Sequence, residues 1–197
     1  MIKIYQAAKN DDFLKIIKLI YQTDPFIYSA MCNNDYSYFE QIMQDFLMQE
    51  SMFSYKNIVL AKDNKTIVGL LLSFTKNHKL PSFIHPQKIE IRKCLTYTLN
   101  DYFAALLDKL EPNTLYINNL CVDENYRNKG IGYLLLDDII KKSKEPKIVL
   151  DCLEDNKSAV NLYKKNNFEI GKTFDGYTGN KSEKVRCLEF VYDKENK

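Results

Sequence analysis

The sequence is short of several things at once. Of 197 residues only six are glycine, five proline, five cysteine and two histidine. Cys32, Cys94, Cys121, Cys152 and Cys187 stand far apart without a C-x-x-C pair, and two histidines are too few to build a zinc site. Reduced, structural cysteines are therefore expected, acting as small apolar residues, three of them (Cys121, Cys152 and Cys187) in strands. No metal is expected. No stretch of about 18 consecutive apolar residues exists, so no helix is expected to span a membrane. The first residues, "MIKIYQAAKNDD", lack a hydrophobic signal core and a small-residue cleavage site, which makes the cytoplasm the expected location. A formal charge of +2, with Lys and Arg scattered rather than blocked, argues against a nucleic-acid partner.

What is present fits an ordinary globular chain, with 45% apolar and 27% charged residues. Its length suits one domain, residues 1–197, with a full core. "IKIYQAA" reads as a first strand. Asn10 or Asp11 then caps a helix that turns Phe13, Ile16, Ile17 and Ile20 to one face. A second helix begins near Asp35 and carries Phe39, Ile42, Met43, Phe46 and Leu47 at helical spacing. "NIVLAKDNKTIVGLLLSF" is a hairpin turning around Asp63, Asn64 and Lys65.

Residues 77–113 form an insert between the third and fourth strands. It holds His78, His85, the run "PSFIHP", a candidate strand "KIEIRK" and a short helix around "NDYFAALLDKL". A structureless loop that long is unusual in a compact domain, so part of it should be ordered. Two roles are open to it: shaping a substrate site, or forming a homodimer contact through Phe83, Phe103, Leu106 and Leu107.

From Thr114 the pattern sharpens. "TLYINNLCV" is a strand, and "IGYLLLDDIIKK" a helix with Ile131, Leu134, Leu135 and Ile139 inward. Asp137 with Lys141 and Asp138 with Lys142 form i,i+4 pairs on its outer face. "KIVLDCL" is a strand, "NKSAVNLYKKN" a helix, and "FEIGKTF" and "EKVRCLEFVY" close the chain as strands. The class is mixed α/β.

Two of the scarce glycines stand in "YRNKGIGYLL", directly after Arg127 and Lys129. A strand, a basic loop and then Gly130-Ile131-Gly132 opening a helix is an arrangement suited to phosphate. First-turn N–H groups lack intrahelical partners and sit at the positive end of the helix dipole. Glycine lets a phosphate approach without a Cβ in the way. The P-loop pattern fails, because Tyr133 and Leu134 follow the last glycine. The dinucleotide fingerprint is met in one respect, Asp151 about twenty residues on, but Leu135 stands at its third glycine position.

"LCVDENYRNKGIGYLLL" resembles the acetyl-CoA-binding signature of the GNAT N-acetyltransferases. A second block, "LDCLEDNKSAVNLYKKNNFEIG", is similar to the family's strand, Asn, helix ending in Tyr, and turn into the next strand. The resemblance runs closely from Leu115 to Gly171, and residues 1–76 fit by pattern alone. Where relatives carry Gly-Phe this chain has Asn167-Phe168, which Asn tolerates because it also visits the left-handed region.

The resemblance implies a GNAT fold: a mixed, mostly antiparallel sheet flanked by helices, with two parallel central strands splayed apart. It implies acetyl-CoA as acyl donor, its pantetheine arm paired with the backbone of Leu120, Cys121 and Val122. Asn128, Lys129, Gly130, Ile131 and Gly132 would hold the pyrophosphate, with Arg127 at its edge. Asn156 and Tyr163, seven residues apart, would face the donor about 10 Å apart along one helix. Tyr163 matches the family's general acid, and a phenol with pKa near 10 can protonate a leaving thiolate.

Strict alternation would set Tyr116, Asn118, Leu120 and Val122 on one face, with Tyr116 and Asn118 toward the acceptor. Neither is a good base at neutral pH, although an alkyl ammonium of pKa about 10.4 must lose a proton before it attacks. Glu90, His78, His85 or a water chain are the sources left open. The implied activity is acetyl transfer to the primary amine of a small molecule or peptide; the alternative is a non-catalytic acyl-CoA-binding sensor or interaction module. A nucleotide-dependent oxidoreductase is disfavoured by the motif.

Overall fold

The computed structural model describes residues 1–32, 34–82, 103–177 and 184–195. In chain order it has β1 (Ile2–Gln6), α1 (Phe13–Thr23), α2 (Pro25–Met31), α3 (Tyr36–Met48), β2 (Ile58–Asp63) and β3 (Thr66–Thr75). After these come α4 (residues 103–109), β4 (Thr114–Val122), α5 (Ile131–Lys142), β5 (Lys147–Leu153), α6 (Lys157–Lys165), β6 (Glu169–Tyr177) and β7 (Lys184–Asp193). The strands form one sheet in the order β1-β2-β3-β4-β5-β7-β6. Every pairing is antiparallel except β4 with β5.

Helices cover both faces of this sheet. On one face Ile16, Ile17 and Ile20 of α1 and Phe39, Met43 and Phe46 of α3 pack on Leu70, Leu72, Phe74 and Tyr116. On the other, Ile131, Leu135 and Ile139 of α5 and Val160 and Tyr163 of α6 pack on Ile117, Ile148, Leu150 and Phe190. β3 serves both layers, and so all of its residues from Ile67 to Phe74 are buried. Among the described residues, no helix is long and apolar enough to cross a membrane.

Local chemistry explains where the helices start and where the sequence reading needs correction. α1 is capped by Asp12, whose carboxylate accepts from Lys15 N, and not by Asn10 or Asp11. Asp11 accepts from Ala8 N instead and pairs with Lys62. α2 was not expected, although Asp24-Pro25 is a strong start signal: Asp24 accepts from Ile27 N, and Pro25 needs no hydrogen-bond partner at the first helical position. α3 begins at Asp35 as expected. In α5 the inward stripe is Ile131, Leu135, Leu136 and Ile139; Leu134 is 38% exposed on the flank. The two expected i,i+4 pairs are present, Asp137 with Lys141 and Asp138 with Lys142.

The insert lies between β3 and β4, and "KIEIRK" falls outside the described residues. Its near end is docked: Gln49 brackets Ser82, donating to its carbonyl and accepting from its N–H, both at 2.7 Å. Its far end contributes to the core, since Phe103 is 2% exposed and meets Phe53 edge-on at 5.1 Å. Leu106 and Leu107 pack on the same cluster. Phe103 is therefore no part of an apolar outer surface, as a dimer contact would require; Phe83 is outside the described residues.

Candidate active site

β4 and β5 run together only briefly. Thr114 pairs with Lys147, Leu115 with Ile148 and Tyr116 with Val149, and there the ladder ends. Beyond that point β4 continues along β3 and β5 along β7. The strands therefore part, and their facing backbone edges are left without each other as partners.

A bulge lies at the parting point. Leu72 pairs with Asn119 and Ser73 with Ile117, so Asn118 is the extra residue in β4. A bulge re-aims the strand and raises its local twist. It also overturns the strict alternation expected for this strand. Tyr116 and Cys121 belong to the layer under α1 and α3, whereas Leu120 and Val122 pack with the α5 layer. The residues expected on one face are divided between two.

Asn118 and Asn119 anchor the bulge. Asn118 donates to Asn119 Oδ1 at 2.7 Å, and Asn119 donates to Thr23 Oγ1 at 2.6 Å and Tyr28 Oη at 2.9 Å. Asn119 is 2% exposed. The sequence reading passed over it, although a second polar residue in mid-strand, next to Asn118, was the available signal.

After β4 the chain turns through Asn128 (φ 61°) and Gly130 (φ 77°), both left-handed, into α5. No side chain caps α5, whereas α1, α2, α3 and α6 are each capped by Asp or Asn. A Cβ on Gly130 would meet nothing within 4 Å. That open space in front of uncapped first-turn N–H groups fits a phosphate. Gly132 differs: its Cβ would stand 2.9 Å from Leu162 of α6, so its bareness serves helix packing. Arg127 donates to Val122 O at 3.3 Å, and Lys129 to Asn125 O at 3.0 Å. Arg127 also borders an open groove with Lys15, Lys18, Tyr21 and Tyr36.

α6 is capped by Asn156, which accepts from Ala159 N at 3.2 Å. Tyr163 is 7% exposed, its ring 5.2 Å from Phe190 and 6.2 Å from Phe168. Burial, and secondarily the Cys152 thiol, raises its hydroxyl pKa above that of a free phenol. The hydroxyl therefore stays protonated at any working pH. The turn after α6 uses Asn167 at φ 62°, as expected for the residue replacing Gly.

Opposite Tyr163, across the sheet, is a carboxylate that the sequence reading weighed only as part of a nucleotide fingerprint. Tyr116 Oη donates to Asp151 Oδ2 at 3.0 Å, joining the last paired residue of β4 to a β5 residue two positions beyond the ladder. Desolvation raises the Asp151 carboxyl to about 6, against the lowering effect of the Tyr116 hydrogen bond. Glu189, its register partner on β7, pushes in the same direction, and Lys172 opposes.

Among the described residues, the remaining histidine and the thiols are occupied or inert. Thr75 N–H donates to His78 Nδ1 at 3.1 Å, and Nε2 lies 3.2 Å from Asn57 Oδ1, so the ring staples a turn. His85 and Glu90 are outside the described residues. Burial pushes the Cys121 and Cys152 thiols up to about 11 and raises Cys32 and Cys187 as well. All four of these cysteines are free. Among the described residues, no group of three or more His, Cys, Asp or Glu is placed to hold a metal ion.

Known proteins share this fold. The family model described as "Acetyltransferase (GNAT) family" matches residues 20–168. A protein of Amsacta moorei entomopoxvirus named a putative glycylpeptide N-tetradecanoyltransferase is 29% identical over 153 residues. That match covers 74% of this chain and 46% of the viral protein, so the chain spans about half the length of that relative. An N-acetyltransferase from Staphylococcus aureus Mu50 superposes with a TM-score of 0.67 at 17% identity, over 96% of this chain and 100% of that one. A Bacillus subtilis acetyltransferase in complex with CoA gives 0.58 at 16% identity, over 98% and 99%.

Proposed function

The chain belongs to the acetyltransferase (GNAT) family, and from that premise we propose that it moves an acetyl group from acetyl-CoA to a primary amine of a small molecule or peptide. The observation that carries this reading is the parting of β4 from β5 beside an uncapped, glycine-opened helix. An extended pantetheine arm needs an open strand edge, and a pyrophosphate needs free N–H groups; the two stand together here.

In this reading the backbone of Leu120, Cys121 and Val122 pairs with the arm. Asn128 to Gly132 receives the pyrophosphate, Gly130 leaving the space and Arg127 adding charge. Acetyl-CoA supplies, when bound, a thioester carbonyl open to an amine. Tyr163, buried and protonated, holds the proton that a departing thiolate requires. Asn156 fixes the start of α6 and so the height of Tyr163. Tyr116 and Asn118 border the acceptor side, and the 77–113 insert between β3 and β4 shapes it.

The test is a donor and acceptor series. Purified protein is given labelled acetyl-CoA and, because of the viral relative's name, tetradecanoyl-CoA, with amines ranging from polyamines to peptide N-termini. Acetyl transfer to an amine supports the reading. Tight acetyl-CoA binding with no transfer to any acceptor would instead make the chain a binding module.

A further inference from the structure

Three charged side chains converge on the acceptor side of the parting strands. Asp151 of β5 and Glu189 of β7 are register partners, so both project from the same face of adjacent strands. Lys172 of β6 pairs with Glu189 at 2.9 Å and is within electrostatic reach of Asp151 and of Glu111. Two carboxylates thus share one lysine, and the cluster is one negative charge in excess. The Tyr116 hydroxyl holds Asp151 by Oδ2. Among the described residues, Oδ1 has no hydrogen bond.

The donor reading leaves these groups unused. They stand at the mouth of the gap and on the sheet face opposite Tyr163, since Tyr116 packs with the α1 and α3 layer and Tyr163 with the α5 layer. An acid on one side of a gap and a base on the other is the arrangement that acyl transfer to an amine requires.

We propose that Asp151, oriented by Tyr116, is the general base that takes the proton from the acceptor's ammonium, within a side-chain cluster of Asp151, Glu189 and Lys172 that is net negative. The proposal rests on the acetyltransferase reading above. The step balances simply: R–NH3+ and the Asp151 carboxylate become R–NH2 and the Asp151 carboxylic acid, and the acid later returns its proton to solvent. The neutral amine then has its lone pair free. Burial helps, because a carboxyl raised from 3.8 to about 6 is a stronger proton acceptor, and the gap to an amine narrows by about two units. The charged and titratable groups around Asp151 are Tyr116 on β4, Cys152 beside it on β5, Glu189 and Cys187 on β7, and Lys172 on β6.

The experiment compares wild type, Asp151→Asn and Tyr116→Phe. Acetyl-CoA affinity is measured by calorimetry, and transfer to spermidine, lysine, phenethylamine and a short free-N-terminus peptide by CoA release from pH 5.5 to 9. The Asp151 carboxyl carbon is titrated by NMR in wild type and Tyr116→Phe. Asp151→Asn should keep its acetyl-CoA affinity and lose about 10²-fold or more in kcat/KM for the amine. Tyr116→Phe should raise the carboxyl titration midpoint, and the acid limb of kcat/KM should move with it. Unchanged amine kinetics in Asp151→Asn would overturn the proposal. So would an acid limb that stays put while the carboxyl midpoint moves, or Asp151→Asn losing acetyl-CoA binding. A wild type that binds acetyl-CoA yet acetylates none of these amines would remove the functional reading itself, and the base with it.

Discussion

Gly132 lies so close against Leu162 that a methyl group on it would stand 2.9 Å from the leucine Cδ2. The paired glycines at the head of α5 therefore do different work. Gly130 fronts open space at φ 77°, and Gly132 lets α5 and α6 touch. Gly132→Val should lower the melting temperature, since overpacking costs about 1–3 kcal/mol. Leu162→Ala should restore part of the loss in the double variant. A single variant as stable as wild type would mean that Leu162 simply swings aside.

Acetyl-CoA should raise the melting temperature, because a ligand that binds only the folded state stabilises it. At a hundred times the dissociation constant the gain is about 2.7 kcal/mol. Gly130→Val should blunt this shift, placing bulk where the phosphate would approach, and should also carry strain from the left-handed backbone. If nicotinamide dinucleotide shifts the unfolding curve and acetyl-CoA does not, the phosphate site has been misassigned.

Tyr163→Phe should slow the chemical step about 10²–10⁴-fold while leaving acetyl-CoA affinity nearly unchanged. The ring contacts with Phe168 and Phe190 survive, and among the described residues the hydroxyl has no hydrogen bond to lose. Stability should therefore hold. Single-turnover measurement is needed, since slow product release would mask the change. Equal single-turnover rates would return Tyr163 to a packing role.

Asp151→Asn should stabilise the protein at neutral pH. Its folded pKa, about 6, lies above the ordinary 3.8, so between those values the folded state binds more protons than the unfolded one. Stability then falls as pH rises through this window, and above it the penalty is fully present, on the order of 2–3 kcal/mol. The variant should melt higher than wild type at pH 7.5 and about the same near pH 4. Identical melting at pH 7.5 would show that the native carboxylate is not strained by its burial.

Asn119→Leu should cost stability by a different route. It strips partners from Thr23 and Tyr28 and leaves Asn118 without its acceptor. Each hydrogen bond lost is worth about 0.5–1.5 kcal/mol. A variant within 0.5 kcal/mol of wild type in urea unfolding, inside the usual range for inconsequential surface changes, would show that the network is dispensable.

The second half of the chain was legible because its signals are local. Glycines after a basic loop, Asn156 before an amphipathic helix, and Asn167 in place of glycine each act within a few residues. Asp24-Pro25, which starts α2, is an equally local signal. The bulge at Asn118 was not legible, because an extra residue in one strand is defined only against Leu72 and Ser73 of its neighbour. Asp151 was hidden for a similar reason. Its character comes from Tyr116, thirty-five positions away, and from Glu189 on another strand, so no spacing rule could single it out.

The short β4–β5 ladder also has a mechanical consequence. Three parallel rungs join the β1–β4 half of the sheet to the β5–β7 half, and parallel pairing is slightly the weaker kind per residue. On the α5 face the seam is crossed again where Gly132 meets Leu162. A force drawn between the edge strands β1 and β6 would concentrate at this seam, peeling its few rungs one by one while the longer antiparallel ladders on either side stayed whole.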